Sequence, residues 1–487
     1  MPFASLLEAT TNSSASQNNC LTDGQFSVAY AALPGLLAAI NDYFARQGIG
    51  RNDCLAVECP NSVAGALTLL FLLQQEISFV LLPPSEQGAQ PSEWKPIPRF
   101  CRYRLVVKRA PAETAAEWVH KPENFLWLEA NSAYQPPADP DLQRPGHLFL
   151  RTSGSMGASK LVAHRQAILL DNAQGCVEEY QYTSVDRLTL PVPIAHMYGL
   201  GVGFLPAILA GAAIDLQDQT NLLRYLAHEK RFNPTVTCVT PTLAAILLKG
   251  FKTPRAYRLA ITATQGISEA TFCAFDAAIG GGFVNQYGSS EMGAIAVCAP
   301  NDALAYKATT IGKPFPGVHL KIDNTLLPDD NEQMGDDVGE LYCQHPAGFV
   351  GYVDESGQWL QRQTPADWYR TGDLARRLPN GYFQISGRAG NSINRRGYLV
   401  HFAEIERQIE QIAGVEQVVV VGKGAAERIT AFCVLGNQAL LSAAQIREEC
   451  FERLPNYAIP DAVLLLDALP LLPSGKVDRQ RLTGMAG

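Results

Sequence analysis

A chain of 487 residues is too long for one hydrophobic core, so two or more domains are expected. Hydrophobic residues make up 47% and charged residues 18%, the balance of a globular protein rather than a disordered or fibrous one. The formal net charge of −8 leaves no basic excess to neutralise a nucleic-acid backbone, which excludes a general nucleic-acid binder but not one nucleotide held by local donors.

The eleven cysteines include no CxxC pair and no Cys/His cluster at metal-ligand spacing. Reduced, mostly buried thiols are the expectation. The N-terminal "MPFASLLEATTNSSASQNN" lacks a basic start and a long apolar stretch, and "ALTLLFLL" is too short to span a bilayer. A cytoplasmic protein without membrane or nucleic-acid partners is expected by elimination.

In chain order, "CLAVECP" predicts a strand, "SVAGALTLLFLLQQ" a helix and "SFVLLPP" the next strand. "RLTLPVPI", "AAIDLQ", "TVTCVTP" and "LAITATQG" are further short strands, separated by helical patterns or Gly/Pro punctuation. Such alternation predicts largely parallel sheets covered by helices. After Gly312 the texture turns antiparallel, through "GVHLKID", "GELYCQ" and "DLARRLPNGYFQISGR". Asn380-Gly381 between two strand-like runs predicts a two-residue hairpin turn. "FAEIERQIEQI" places Ile405, Ile409 and Ile412 at helical spacing, and "VEQVVVVGKG" follows as a strand. The last hundred residues therefore predict a small α+β domain with a boundary close to Arg388.

One stretch has the composition of an anion grip. "FLRTSGSMGASKLVAH" packs glycines, hydroxyls and a lysine into Thr152–Lys160. Its G-x-x-G-x-x-K spacing is not that of a Walker loop, G-x4-G-K-[ST]. The pattern predicts a loop between strand "GHLFLR" and helix "HRQAILLDNAQGC", where glycine lets backbone approach an anion and hydroxyls donate to it. A plain Gly/Ser surface loop would look the same.

Six further segments follow in order: "PIAHMYGLG", "NQYGSSEMG", "GELYCQ", "YRTGDLARR", "SGRAGNSINRRGYLVHFAEIE" and "PLLPSGKVDR". With the loop, these seven resemble the signature motifs of the adenylate-forming superfamily, which includes acyl- and aryl-CoA ligases, stand-alone adenylation domains and luciferases. The resemblance runs through nearly the whole chain. It implies an α/β fold. A large N-terminal domain, residues 1–387, would hold two parallel-type βα sandwich subdomains plus a small β-barrel. A small mobile α+β domain, residues 388–487, would act as a lid. It also implies a two-step reaction. A carboxylate attacks the α-phosphate of Mg-ATP, giving acyl-adenylate and pyrophosphate; a thiol then attacks the acyl carbon and AMP leaves.

The site residues implied by the resemblance follow the motifs. Thr152, Ser153, Gly154, Ser155, Gly157 and Lys160 would clasp the β- and γ-phosphates. Glu291 would hold Mg²⁺, which takes oxygen ligands and keeps waters. Ser290 would donate to the α-phosphate. Tyr287 with Gly288 would lie against adenine, and Asn285 near its amine edge. Asp373 would accept from the ribose hydroxyls, with Arg388 beside it. Lys476 would bridge the attacking carboxylate and the α-phosphate, a task suited to a point charge on a flexible stem. His196 would line the acyl channel, and Tyr198, Gly199, Thr237, Gly266, Met292 and Gly293 the acid pocket. Taken singly, Asp373 is a turn residue, Glu291 a first-turn acid, Lys476 a solvated tail lysine and His196 a core histidine; their order along the chain carries the case.

The chain departs from the family pattern in places. Met156 replaces a common threonine, removing one hydroxyl contact to phosphate, worth about 1 kcal/mol. Ser159 replaces a proline and loosens the loop's exit. Gly390 stands where relatives carry the Asp or Lys about which the small domain swings, and Asn394 where a lysine is frequent. Glycine still permits a hinge. No acidic residue occurs between Val192 and Phe204 to pair an α-ammonium, and a buried unpartnered cation is costly. An aryl or aliphatic acid is therefore expected rather than an ordinary α-amino acid. The acceptor would be coenzyme A or the phosphopantetheine of a carrier protein acting in trans. Two alternatives stay open: an adenylate former that delivers to a non-thiol acceptor, motivated by Gly390, and a catalytically silent ATP-binding regulatory protein.

Overall fold

The computed structural model describes residues 3–85, 96–111, 114–151, 160–218, 220–251, 253–264, 266–323, 338–388, 392–395, 398–423, 428–436, 439, 441–472 and 476–486. Two large sheets dominate. The first is eight-stranded, and its centre is parallel: Cys54–Glu58 pairs with Ser78–Leu82 on one side and Tyr103–Val107 on the other. The helix between the first two strands, Val63–Gln74, starts at Ser62, whose side chain accepts from Gly65 N–H. Eleven of its residues are buried, so it runs through the core and carries no polar face. The second sheet has nine strands. Its parallel centre includes Ala213–Leu216, Arg187–Leu190, Val236–Val239, Leu259–Thr262 and Phe283–Ser289. Every strand predicted in this region is present, as is the alternation with helices. Fold and layer order are those expected of two βα sandwich subdomains.

The third part of the large domain, expected as a small barrel, is built on a four-stranded antiparallel sheet: His319–Asp323, Val338–Gln344, Tyr369–Arg377 and Phe383–Arg388. The turn between its last two strands is longer than a two-residue hairpin. Arg377 pairs with Phe383, and the chain reverses through Leu378–Gly381, with Gly381 N–H donating to Leu378 C=O. Pro379 lies inside that turn, its ring setting φ near −65°; Gly381 takes φ +83° but Asn380 does not take the positive φ that the two-residue hairpin needs at both central positions.

Residues from Val400 onward build their own core. Ile405 and Ile409 on helix Phe402–Glu410, with Ile412 just beyond it, pack against Val418 and Val420 of strand Val415–Lys423 and against Ile429 and Ala431. All eleven cysteines are free thiols and eight of them are buried, as expected. Among the described residues no helix is long and apolar enough to cross a membrane.

A buried ion pair ties strand Phe283–Ser289 to its surroundings. Lys307, on helix Leu304–Thr309, donates to Asp276 (2.9 Å) and to Gly281 C=O (2.7 Å), and both charged residues are buried. Asp276 also accepts from Phe283 N–H. Asp276→Ala strands the ammonium and is expected to cost about 3 kcal/mol or more in urea unfolding, because a buried charge loses its partner. Lys307→Met with Asp276→Leu together should recover most of that loss.

Candidate active site

Four pieces of chain meet at one cleft. The first is the hairpin His147–Arg151 and Leu161–Arg165. Here the expected strand-to-helix loop is corrected: the two strands are antiparallel neighbours, and the helix, Gln166–Tyr180, begins only after the second. Leu161, Val162 and Ala163 are fully buried apolar residues, and pairing with the sheet on both edges holds them extended. Thr152, Ser153, Gly154, Ser155, Met156, Gly157 and Ser159 lie outside the described residues. Lys160 is described, and its Nζ sits 3.7 Å from the centre of the Tyr352 ring.

The second piece is the turn from Phe283–Ser289 into Gly293–Val297, which carries Ser290, Glu291 and Met292. Ser289 Oγ accepts from Met292 N–H and closes the turn. Buried His164 donates from Nε2 to Ser290 C=O (2.8 Å), locking the turn onto the first hairpin. Glu291 accepts from the Tyr352 hydroxyl (2.7 Å), which also lies 3.4 Å from the Tyr369 hydroxyl. Lys160 and Glu291 therefore face the same tyrosine, one at its ring and one at its oxygen. Sequence reading assigned nothing to His164, Tyr352 or Tyr369. The first and last stood inside quoted motifs, but only the fold shows what they touch.

Third, strand Tyr369–Arg377 presents Asp373. One of its carboxylate oxygens accepts from Tyr287 (2.5 Å) and the other from Arg388 (2.8 Å). Burial first, then the Asp373 charge, raises the pKa of Tyr287. Asn285 stands on the same strand as Tyr287, its amide 3.4 Å from Thr310 C=O. Gly288, between Tyr287 and the turn, has no room for a side chain: a Cβ there would lie 2.2 Å from Gly293 C=O.

The fourth piece comes from the small domain. Leu471 and Val477 form an antiparallel bridge, and Leu472 N–H donates to Lys476 C=O (2.7 Å), so Lys476 sits on a tight hairpin. Behind it, Arg479 holds Glu406 (2.7 Å) and Val420 C=O (2.7 Å), tying the tail to the small domain. The hairpin brings Lys476 within electrostatic reach of Arg388, Glu291, Asp373 and His196. Crowding by protein and then the Arg388 charge lower its pKa; the two carboxylates pull the other way. Its side chain keeps solvent access, so this is the crowding of an open cleft and not of a sealed core.

His196 lies at the mouth of an unusual helix. Tyr198–Phe204 is a π-helix, in which Leu205 N–H donates to Leu200 C=O. Such turns are rare and widen the backbone. Gly199 permits the approach: a Cβ there would lie 2.1 Å from Pro193 C=O. Burial and then the Lys476 charge lower the His196 pKa, which favours the neutral imidazole. The π-helix was not legible as such in "PIAHMYGLG".

The proposed pocket residues divide. Met292 and Gly293 sit beside Glu291, and His196 and Gly199 at the start of the π-helix. Tyr198 is buried with its hydroxyl between Ile261 C=O (2.7 Å) and Val239 C=O (3.2 Å), so its polar end is already engaged. Thr237 does not join them. It is fully buried and accepts from Tyr225, which in turn touches Tyr257. Side chains alternate along a strand, and the neighbour Cys238 is the one that faces the π-helix, near Gly203. Gly266 is exposed and follows Thr264, a β-branched residue held at φ +87°, a conformation such residues rarely adopt. The expected hinge, Gly390, lies outside the described residues. Among the described residues no cluster of three or more His, Cys, Asp or Glu could hold a metal ion by protein ligands alone. A hard divalent ion here would need substrate oxygens beside Glu291, the arrangement magnesium uses with phosphates.

With that geometry in place, the chain matches the model of the AMP-binding enzyme family over residues 8–353 and that of the AMP-binding enzyme C-terminal domain over residues 404–476. It belongs to that family, the adenylate-forming superfamily. It is 26% identical over 486 residues to a sulfoacetate–CoA ligase of Cupriavidus necator, covering 95% of this chain and 94% of that one. It is also 26% identical over 486 residues to a linear gramicidin synthase of Brevibacillus parabrevis, covering 93% of this chain and 9% of that much longer one. Among solved structures, the anthranilate CoA ligase AuaEII in complex with anthranoyl-AMP superimposes with a TM-score of 0.78 at 18% identity, over 100% of this chain and 97% of that one.

Burial holds the pKa of His164 down to about 4. In the unfolded chain it titrates near 6.5, so between those values the unfolded state binds the extra proton. Stability from this residue is complete above pH 6.5 and falls as pH drops toward 4, by on the order of 3 kcal/mol. Urea unfolding at pH 7 and pH 5 should show about 2 kcal/mol of that loss from this residue, and His164→Gln, which keeps a donor toward Ser290, should remove that share and leave the part due to His147, which burial also holds down to about 4.

Proposed function

We propose that this protein is an acid–thiol ligase that activates a small carboxylic acid with ATP and passes the acyl group to coenzyme A. Family membership carries the class of reaction. One observation supports the assignment of residues: a tail lysine brought from the small domain into the field of Glu291, Asp373, Arg388 and His196.

The first step is hindered because an anionic carboxylate must approach an anionic phosphate. Positioned positive charge relieves that repulsion. Lys476 serves as the bridge between the two, its amine reaching one oxygen of each. Lys160 and the loop 152–159 take the β- and γ-phosphates. Glu291, oriented by Tyr352, would hold the magnesium ion, which would supply charge neutralisation at the phosphates. Ser290, fixed through His164, meets the α-phosphate. Asp373 exchanges its present contacts with Tyr287 and Arg388 for the ribose hydroxyls, which frees Tyr287 to lie along adenine beside Gly288 and Asn285. The carboxylate oxygen bonds to the α-phosphorus, and pyrophosphate leaves.

His196, neutral beside the acyl carbon, and the segment ending at Gly199 form one wall of the acid pocket; Met292 and Gly293 form another. The thiol sulfur then bonds to the acyl carbon and AMP leaves. A carrier-protein phosphopantetheine is the second thiol acceptor to test, because the chain also aligns along part of a peptide synthetase. Residues 1–387 form the adenylating core and 388–487 the lid, with Gly390 in the hinge and a cytoplasmic setting for a chain of free thiols.

Lys476→Ala should lower acyl-adenylate formation more than a hundredfold in a pyrophosphate-exchange assay across a panel of aryl and short to medium aliphatic acids. The same variant should still convert supplied acyl-adenylate and coenzyme A to thioester. Equal loss in both assays would overturn the role given to Lys476, and silence of the wild type with every acid would overturn the ligase reading.

A further inference from the structure

Helix Gln166–Tyr180 buries three side-chain polar atoms that have no hydrogen-bond partner among the described residues, on Gln166, Asn172 and Tyr180; of these, Asn172 lies against Gly293. Asn172 is 5% exposed, and its Oδ1 has no hydrogen-bond partner among the described residues. An unpaired buried amide oxygen is unfavourable, and such groups are rare enough in native proteins to call for an explanation.

Its position supplies one. A Cβ built on Gly293 would lie 2.5 to 2.9 Å from Asn172 Nδ2, Cγ and Oδ1, so the amide lies against that glycine. On another side, a Cβ on Gly201 would meet Met197 Sδ at 2.9 Å and Asn172 Oδ1 at 3.5 Å. Asn172 thus stands where the π-helix that follows His196 meets the Met292–Gly293 turn. It also lines an open cleft of about 270 Å³, together with Asp171, Gly175, Glu178, Phe315 and His345. Gly175 lies in the helix interior, where glycine is unfavourable, yet a Cβ there would touch nothing within 4 Å. Packing does not require this glycine; its effect is to leave space beside Asn172.

We propose that Asn172 is a specificity-determining residue, and that the acid this enzyme activates carries a hydroxyl or uncharged amino group remote from its carboxylate, which donates to the Asn172 amide oxygen. The inference rests on the reading above that Met292, Gly293 and the segment from His196 line the acid pocket. A site built to pair a donor discriminates strongly against the analogue lacking it, because the protein group is then left unpaired.

The test uses matched acids: benzoate against its hydroxy and amino derivatives, and hexanoate against 6-hydroxyhexanoate. In wild type at least one donor-bearing acid should exceed its plain partner by about ten- to a hundredfold, both in kcat/KM for pyrophosphate exchange and in affinity by calorimetry. Asn172→Leu, close in shape, should erase that preference while keeping turnover of the plain acid; Asn172→Ala, which cannot clash, should do the same. Without ligand, Asn172→Leu should melt no lower than wild type, since it removes an unpaired polar group; a structural asparagine would show a clear drop. Discrimination that is absent in wild type, or survives both substitutions, overturns the inference, as does calorimetry in which no acid binds. Selective binding without pyrophosphate exchange would instead overturn the ligase reading and leave the role of Asn172 standing.

Discussion

The site depends on one closure. Lys476 belongs to the small domain, and the acids it faces belong to the large one. Two unlike charges about 4 Å apart attract by about 1 kcal/mol in water and about 4 kcal/mol at the effective dielectric of a protein cleft. A lysine held far from Glu291 and Asp373 would contribute nothing to an anion placed between them. The hairpin through Leu471 and Val477, anchored behind by Arg479 on Glu406, is what turns a tail residue into part of the cleft. The contact between Lys249 and Glu416, at 2.5 Å but exposed, adds little to the closure, because surface pairs are worth about 0–1 kcal/mol. That pair is therefore not what holds Lys476 in the cleft.

Within the large domain, Ser290 and Glu291 are fixed from three directions, by His164, by Ser289 and by Tyr352. Each tie comes from a different element: strand Leu161–Arg165, the turn itself and strand Gly351–Val353. Lys476, by contrast, is held by the single hairpin through Leu471 and Val477 and the anchor of Arg479 behind it.

Much of this fold was legible in the residues. Strands such as Cys54–Glu58 and Val236–Val239 announce themselves by short β-branched runs, and helix Phe402–Glu410 by isoleucines at helical spacing. What escaped was whatever depends on neighbours distant in sequence. His164 and Arg165 look like the start of a helix until strand Leu161–Arg165 claims them. Thr237 entered the expected pocket through the resemblance, which points to the strand's segment and not to its facing, and a one-residue change of face exchanges Thr237 for Cys238. The π-helix has no periodicity to read in seven residues rich in glycine. Tyr352 carries no motif of its own and becomes visible only when its hydroxyl is seen on Glu291.

The same contrast separates stability from function along helix Gln166–Tyr180. Most of its buried positions, Leu169, Leu170, Ala173 and Cys176, are apolar and fill the core as the pattern requires. Asn172 and Gly175 break that pattern one turn apart, the first by burying an unpaired amide oxygen, as Gln166 does at the helix start, and the second by omitting a side chain where one would fit. A sequence under selection for folding alone would replace both, since a leucine and an alanine satisfy the helix better. Local rules broken at two adjacent points facing one space mark a site kept at the expense of stability. The acid pocket of this enzyme is therefore best sought where the helix is least well made.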